Sequence, residues 1–520
     1  MNTQLKHTLF GSLTLLSMAG LSACTDKFQE INTDKTKLVT LTSTELPYLF
    51  SKAQSASSYA GGTYQIAQNL FADLYSQYYA TSATYFPSDR NVIRFDWLQG
   101  GWTSIYTQTV PQLRSLEEGY AVGTAEHALT DIWWVYSFHR LTDYYGPIPY
   151  FDAGKPARSV KYDAQDKIYE DFFKKLDAAT TVLKGKTAEK PFGTFDLLYK
   201  GDVSKWIKFA NTLRLRLAMR ASAANPALAK TNAEAAVAGG VMEAITDDAL
   251  MVKSEPTNDF NGLSRIAIWN EFRMSAAMES ALKGYEDPRS TVYFQPTTAT
   301  GAVEGLRNGL TPGQLGDAAN GNNATSNVGS RWVSGGGAAW TSIGSTPQNI
   351  MHTAEANFLR AEGALNGWAM GGTAKDFYEK GITASMNQWG VTNAAAITAY
   401  VNSEKTPIAP NDGLQSPALS KAPIKWTATT ALQREQIGTQ KWLALYPDGI
   451  EAWAEFRRTK FPTLYPVANN ENADLTTGQR PRRIPFLLLE RNTNLEAVKA
   501  AESLLGGPDK VSTPLWWDKN

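Results

Sequence analysis

The sequence predicts a mainly α-helical protein with helical repeats and one long loop-rich excursion. Apolar residues recur at spacings of three and four through much of the chain, and one later stretch carries cap signals at both ends of two successive helices. Between about residues 255 and 348, however, the pattern changes to Gly, Asn, Ser, Thr and Pro.

From Thr124 onward, Leu129, Ile132, Trp133 and Tyr136 share one face, and Gly146-Pro147 stops the run, giving a buried helix. Tyr162 to Leu183 repeats the pattern through Ile168, Phe172, Leu176 and Ala179, with Gly185 as its stop. Asp202 can cap the next helix, whose stripe is Val203, Trp206, Ala210, Leu213 and Leu217. Lys208, Arg214 and Arg216 fall off that stripe and are expected on a solvated face. Later, Thr353 precedes a helix over 354–366 that Gly367 ends, and Thr373 to Asp376 opens a second that Gly390 closes. With Ala361 and Ala364 at packing positions and the Tyr378 to Ile382 pattern, this pair resembles a tetratricopeptide unit, whose period is about 34 residues. One such unit cannot bury its own face, so diverged copies are expected among the earlier helices.

With 43% hydrophobic and 19% charged residues in 520, the composition is that of a folded globular chain. Fifty basic and fifty acidic side chains cancel, so no global field attracts nucleic acid, and a nucleic-acid role is not expected. Fifteen Trp, 22 Tyr and 21 Phe supply flat amphipathic rings that serve both cores and ligand surfaces. A single cysteine, Cys24, excludes an intramolecular disulfide.

Lys6 and His7 followed by the mostly apolar run Thr8 to Leu21 read as an export signal, too short to span a bilayer. Leu21-Ser22-Ala23-Cys24 resembles a bacterial lipobox, in which the cysteine becomes lipidated and is the new amino terminus. The expected organisation is a lipoprotein signal peptide over 1–23, a lipidated tether over 24–40 and a single large domain over 41–520. Nothing after Cys24 offers a run of 18 consecutive apolar residues, so the lipid would be the only membrane attachment.

The excursion carries large rings, Trp269, Tyr293, Phe294, Trp332 and Trp340, which argues for binding loops and against a disordered linker. Trp102, Trp133, Trp206, Trp442 and Trp453 belong to helical stripes and are assigned to the core. His127, His139 and His352 are scattered, and no calcium-loop spacing, phosphate-binding loop or nucleophile elbow is visible. No metal, cofactor or catalytic residue is predicted.

Asp143 to Tyr150, Gly201 to Asn211, Asp287-Pro-Arg289, Gln440-Lys-Trp442 with Glu451-Ala-Trp453 and Arg457-Arg458, and the terminal Trp516-Trp517 together resemble the SusD/RagB family, in the same order and over essentially the whole chain beyond Cys24. The resemblance implies four tetratricopeptide-like units and a loop-built ligand surface. It also implies an outer-membrane lipoprotein facing outward, which binds nutrient without cleaving it and serves a SusC-like TonB-dependent transporter. Glycans are the usual cargo, while RagB-type members handle peptides. The implied function is capture of oligosaccharides for the transporter; peptide cargo is the alternative, and a lipid-anchored glycoside hydrolase a third reading.

A sugar presents a face of C–H bonds that an exposed Trp or Tyr can cover, while neighbouring polar groups meet the hydroxyls. Rings on loops occur in two places, the turn Tyr79 to Arg90 with Trp97 just beyond it, and the excursion. The candidate ligand contacts are Tyr85, Phe86, Trp97, Trp269, Trp332 and Trp340, with Arg273 as a polar contact.

Overall fold

The computed structural model describes residues 44–336 and 339–519; the signal segment, Cys24 and the expected tether lie outside them. Helix α1 (Leu46–Ser57) is followed by a π-helical segment, Gln65–Asp73. The body is then built from four helical pairs: α2 (Ala125–Tyr145) with α3 (Gln165–Lys184), α4 (Val203–Ala221) with α5 (Pro226–Gly239), α6 (Thr353–Leu365) with α7 (Ala374–Gln388), and α8 (Thr430–Leu445) with α9 (Gly449–Thr459). Successive pairs pack on one another, α3 on α4, α4 on α6 and α6 on α8, so each covers the apolar face its neighbour cannot bury alone. The diverged copies expected among the earlier helices are therefore present as α2–α3 and α4–α5, and a further pair, α8–α9, follows the α6–α7 unit.

Local chemistry explains where these helices begin. At α2 the Thr124 hydroxyl accepts the His127 amide at 3.2 Å, and at α4 the Asp202 carboxylate accepts those of Ser204 and Lys205. Helix α3 starts three residues later than its periodicity suggests. Asp163 bridges to Ile148, and its carboxylate accepts the Tyr150 and Phe151 amides, which holds 162–164 extended. Close packing within the α6–α7 pair depends on Gly381, where an added Cβ would fall 2.8 Å from the Phe358 ring.

Of the cations expected on a solvated face of α4, Lys208 is half-exposed and pairs with Asp247 at 2.9 Å, while the arginines are not solvated. Arg216 and Arg220 are fully buried, and Arg214 nearly so. Arg216 makes a two-pronged contact with Glu355 of α6, at 2.5 and 2.6 Å, while Arg220 meets Asp143 of α2 at 2.5 Å and also Glu451 of α9. Glu455 joins Lys441 and Arg458, each at 2.6 Å, and Arg458 also holds Glu362. Periodicity marks α4 as one-sided, but packed helices surround it and the polar side is satisfied by ion pairs.

Strands are few and short among the described residues. Three antiparallel two-stranded ribbons pair β1 (Tyr79–Thr81) with β3 (Phe272–Met274), β2 (Ala249–Met251) with β6 (Gln348–Met351), and β4 (Val333–Gly336) with β5 (Ala339–Ser342). The excursion is thus organised: β2–β6 joins its two ends, β1–β3 ties its interior to the chain near residue 80, and β4–β5 is a hairpin within it.

Candidate functional site

The β1–β3 ribbon brings the two ring-bearing loops together. Pairing Thr81 with Phe272 sets the chain after β1 beside the chain before β3, and the Ser82 and Ala83 amides donate to the Glu271 carbonyl at 2.9 and 3.3 Å. The Ser82 hydroxyl reaches the Asn270 carbonyl at 3.0 Å. These bonds fix the loop-to-loop register by backbone, leaving the side chains free to face outward.

Tyr85 is 63% exposed and Trp269 38% exposed, the most open of the candidate rings. The Tyr85 hydroxyl donates to one Glu271 oxygen and the Gln65 amide to the other, so Glu271, two residues from Trp269, links both loops to the π-helical segment. Burial, together with that carboxylate, pushes the Tyr85 phenol up to about 12. The Trp269 indole lies over the turn at Gly62, where an added Cβ would stand 3.3 Å from its edge. Phe86 is buried beneath Tyr85 (ring centroids 4.7 Å apart) and meets Trp97 edge-on at 5.4 Å. The Arg94 guanidinium covers Trp97 at 4.5 Å and pairs with Asp96. Tyr85, Phe86 and Trp97 therefore form one continuous ring stack, with Glu271 joining it to the Trp269 loop.

Other candidates are placed differently. Trp332 is 2% exposed and packs against Trp389 and Tyr446, so it presents no open ring face. Arg273 is 1% exposed; its guanidinium donates to the Phe272 carbonyl and the Asn270 side chain, both at 2.7 Å, and to the Asn322 carbonyl. Burial pushes Arg273 down to about 10, and its donors serve the loop framework. Trp332 and Arg273, like the buried Phe86, move from expected contacts to supporting wall, because both faces of β3 are covered and the Trp332 ring is packed among other rings. Trp340 lies opposite Gly335 on the inward face of the β4–β5 ribbon, half-buried, its indole N–H without a partner among the described residues.

Sequence reasoning missed Arg331. This half-buried guanidinium lies 5.3 Å over Trp332 and 4.8 Å over Trp389, with no carboxylate or hydrogen-bond partner among the described residues. Burial lowers its pKa. A signal existed, since Arg331 is the sole Asp, Glu, Lys or Arg between Asp317 and Glu355. Gln65 and Glu271, also missed, carry no signal beyond their contact in the fold.

The described residues hold no cluster of three or more His, Cys, Asp or Glu side chains arranged for a metal, and no helix among them is long and apolar enough to cross a membrane. A cleft of about 450 Å³ opens elsewhere, between α6, α8 and α9, but its charged floor of Glu362, Lys441, Glu455 and Arg458 is already ion-paired.

The family model for SusD and RagB outer membrane lipoproteins matches residues 25–518. The chain belongs to the SusD-like family. Similar solved structures include a chitin-binding SusD homologue from Flavobacterium johnsoniae, 35% identical, with a TM-score of 0.83 over 91% of this chain and 99% of that one. A SusD-like protein from Bacteroides thetaiotaomicron is 33% identical, with a TM-score of 0.81 over 91% and 99%. A third structure, described as a chitin-binding protein, is 29% identical, with a TM-score of 0.76 over 91% and 100%. No curated protein sequence matches. As a SusD-like protein the chain is a binding protein, not an enzyme, of a family of outer-membrane lipoproteins.

Proposed function

We propose that this SusD-like protein captures oligosaccharides at the cell surface on the rim formed by Tyr85, Trp97 and Trp269, and hands them to a SusC-like TonB-dependent transporter. The supporting observation is that the two most open candidate rings, Tyr85 and Trp269, stand on loops joined through the β1–β3 pairing, with Tyr85 bonded to Glu271, two residues from Trp269. Rings cover sugar C–H faces, and the Glu271 carboxylate beside Tyr85 would accept from hydroxyl or amide groups at the edges. The chitin-binding relative makes chito-oligosaccharides the first probe.

Calorimetry with chito-oligosaccharides, other glycans and peptides tests this reading. Trp269→Ala and Tyr85→Ala should each weaken the preferred glycan by about tenfold, the scale of one lost ring contact, while Trp332→Phe should leave affinity within about twofold if its fold is kept. Unchanged affinity in both rim variants removes the rim, and preference for peptides removes the glycan cargo.

Lipidation at Cys24 would tether the protein to the membrane, with the segment up to residue 40 as spacer. Cys24→Ala should move the protein from the membrane fraction to the soluble fraction; retention at the membrane would overturn the anchor. Co-purification of a β-barrel transporter from detergent extracts tests the partner.

A further inference from the structure

A second charged cleft, sharing no residue with the aromatic rim, lies at the C-terminal end of α9. It has a volume of about 280 Å³ and is lined by Arg457, Lys460, Arg480 and Arg482 with Ser512 and Phe456, and no carboxylate is among the lining residues. We propose that it is a binding site for a phosphate-class oxyanion.

Charge is unevenly balanced around the cleft. Among the described residues, Asp518 pairs with Arg482 at 2.5 Å and with Lys460 at 3.2 Å. Arg457 and Arg480 form no ion pair with an acidic side chain among the described residues. Arg457 donates its hydrogen bonds to the carbonyls of Trp453, Asp143 and Arg482, and Arg480 to those of Tyr75 and Tyr465. Arg457 is 1% exposed, and its Nη2 is buried without a hydrogen-bond partner among the described residues. Burial pushes both guanidinium groups down to about 9, although Asp143 and Asp518 offset part of that effect at Arg457. The cationic excess at Arg457 and Arg480, with Lys460 at the mouth, matches a multiply charged tetrahedral anion better than a single carboxylate. The cleft is roomier than phosphate alone, so the phosphate could be free or borne on a larger group such as a lipid headgroup.

Titration of the full-length protein with inorganic phosphate, at constant ionic strength and followed by calorimetry, tests the site. Saturable binding is expected, weakened about tenfold in Lys460→Gln and restored in Lys460→Arg, as for loss and return of one charge-assisted bond. Lys460 is solvent-exposed, and a native circular dichroism spectrum of the variant confirms its fold. A water-soluble short-chain phosphatidic acid separates the sources: tighter binding that competes with phosphate identifies a lipid headgroup, and equal or weaker binding a free oxyanion. Absence of saturable phosphate binding, or equal affinity in Lys460→Gln, overturns the proposal.

Discussion

Arg220→Ala should lower the unfolding free energy by about 3–5 kcal/mol, the cost of stranding buried partners of a removed charge. Arg220 is fully buried and contacts Asp143, Glu451 and Glu455, so its loss leaves three carboxylates short of a cation. Burial alone would push Glu451 up, but Arg216 and Arg220 outweigh it and hold the group below its ordinary range. Burial wins at Asp143, whose pKa is raised despite Arg220. The network as a whole is no proof of extra stability, because a well-packed apolar replacement of every member could do as well. What it supplies is register: Asp143, Arg220, Glu355 and Glu451 sit on α2, α4, α6 and α9, so the ion pairs tie one helix from each of the four pairs. Urea unfolding of Arg220→Ala, and of the same variant carrying Glu451→Gln, checks this. Part of the loss should return in the double variant, and a single-variant loss under about 1 kcal/mol would contradict the assignment.

The helical pairs were legible because their signals are local. Thr124 and Asp202 cap the helices they precede, and the stripes through Ile132, Phe172 and Leu213 are buried. The burial of Arg214 and Arg216 was not legible, since periodicity reports one face of a helix and says nothing of what lies against the other. The same limit applies to the rim. Tyr85 and Trp269 are open and Trp332 is closed, yet all three read alike as rings in polar loops. Their separation depends on the β1–β3 pairing and on Glu271, which Tyr85 meets across 186 residues of sequence, a contact that no local pattern encodes.

Asp73 should make stability fall as pH rises, and Asp73→Asn should abolish that fall. Burial without a cationic partner pushes this carboxyl up to about 7, although Gln68, Tyr64 and Asn69 hydrogen-bond to it; repulsion from Asp448 adds to the rise. Arg140, which shares Gln68 with Asp73, is engaged by Asp448 at 3.3 Å. Unfolded, the group titrates at its ordinary value near 4, so between about pH 4 and 7 the folded state holds a proton that the unfolded state has released. Stability therefore declines through that window, and above pH 7 the full cost of a buried carboxylate, on the order of 2–4 kcal/mol, is present. His139 acts in the opposite sense. Burial and the neighbouring Arg216 and Arg140 depress its pKa, so its contribution is lost as pH falls through the ordinary histidine range. The two slopes overlap in the wild-type protein, which makes the difference between wild type and Asp73→Asn the informative quantity. That difference should be small near about pH 4.5 and should grow in favour of the variant up to about pH 8, measured by urea unfolding at each pH. Parallel curves would show that Asp73 keeps an ordinary pKa in the fold.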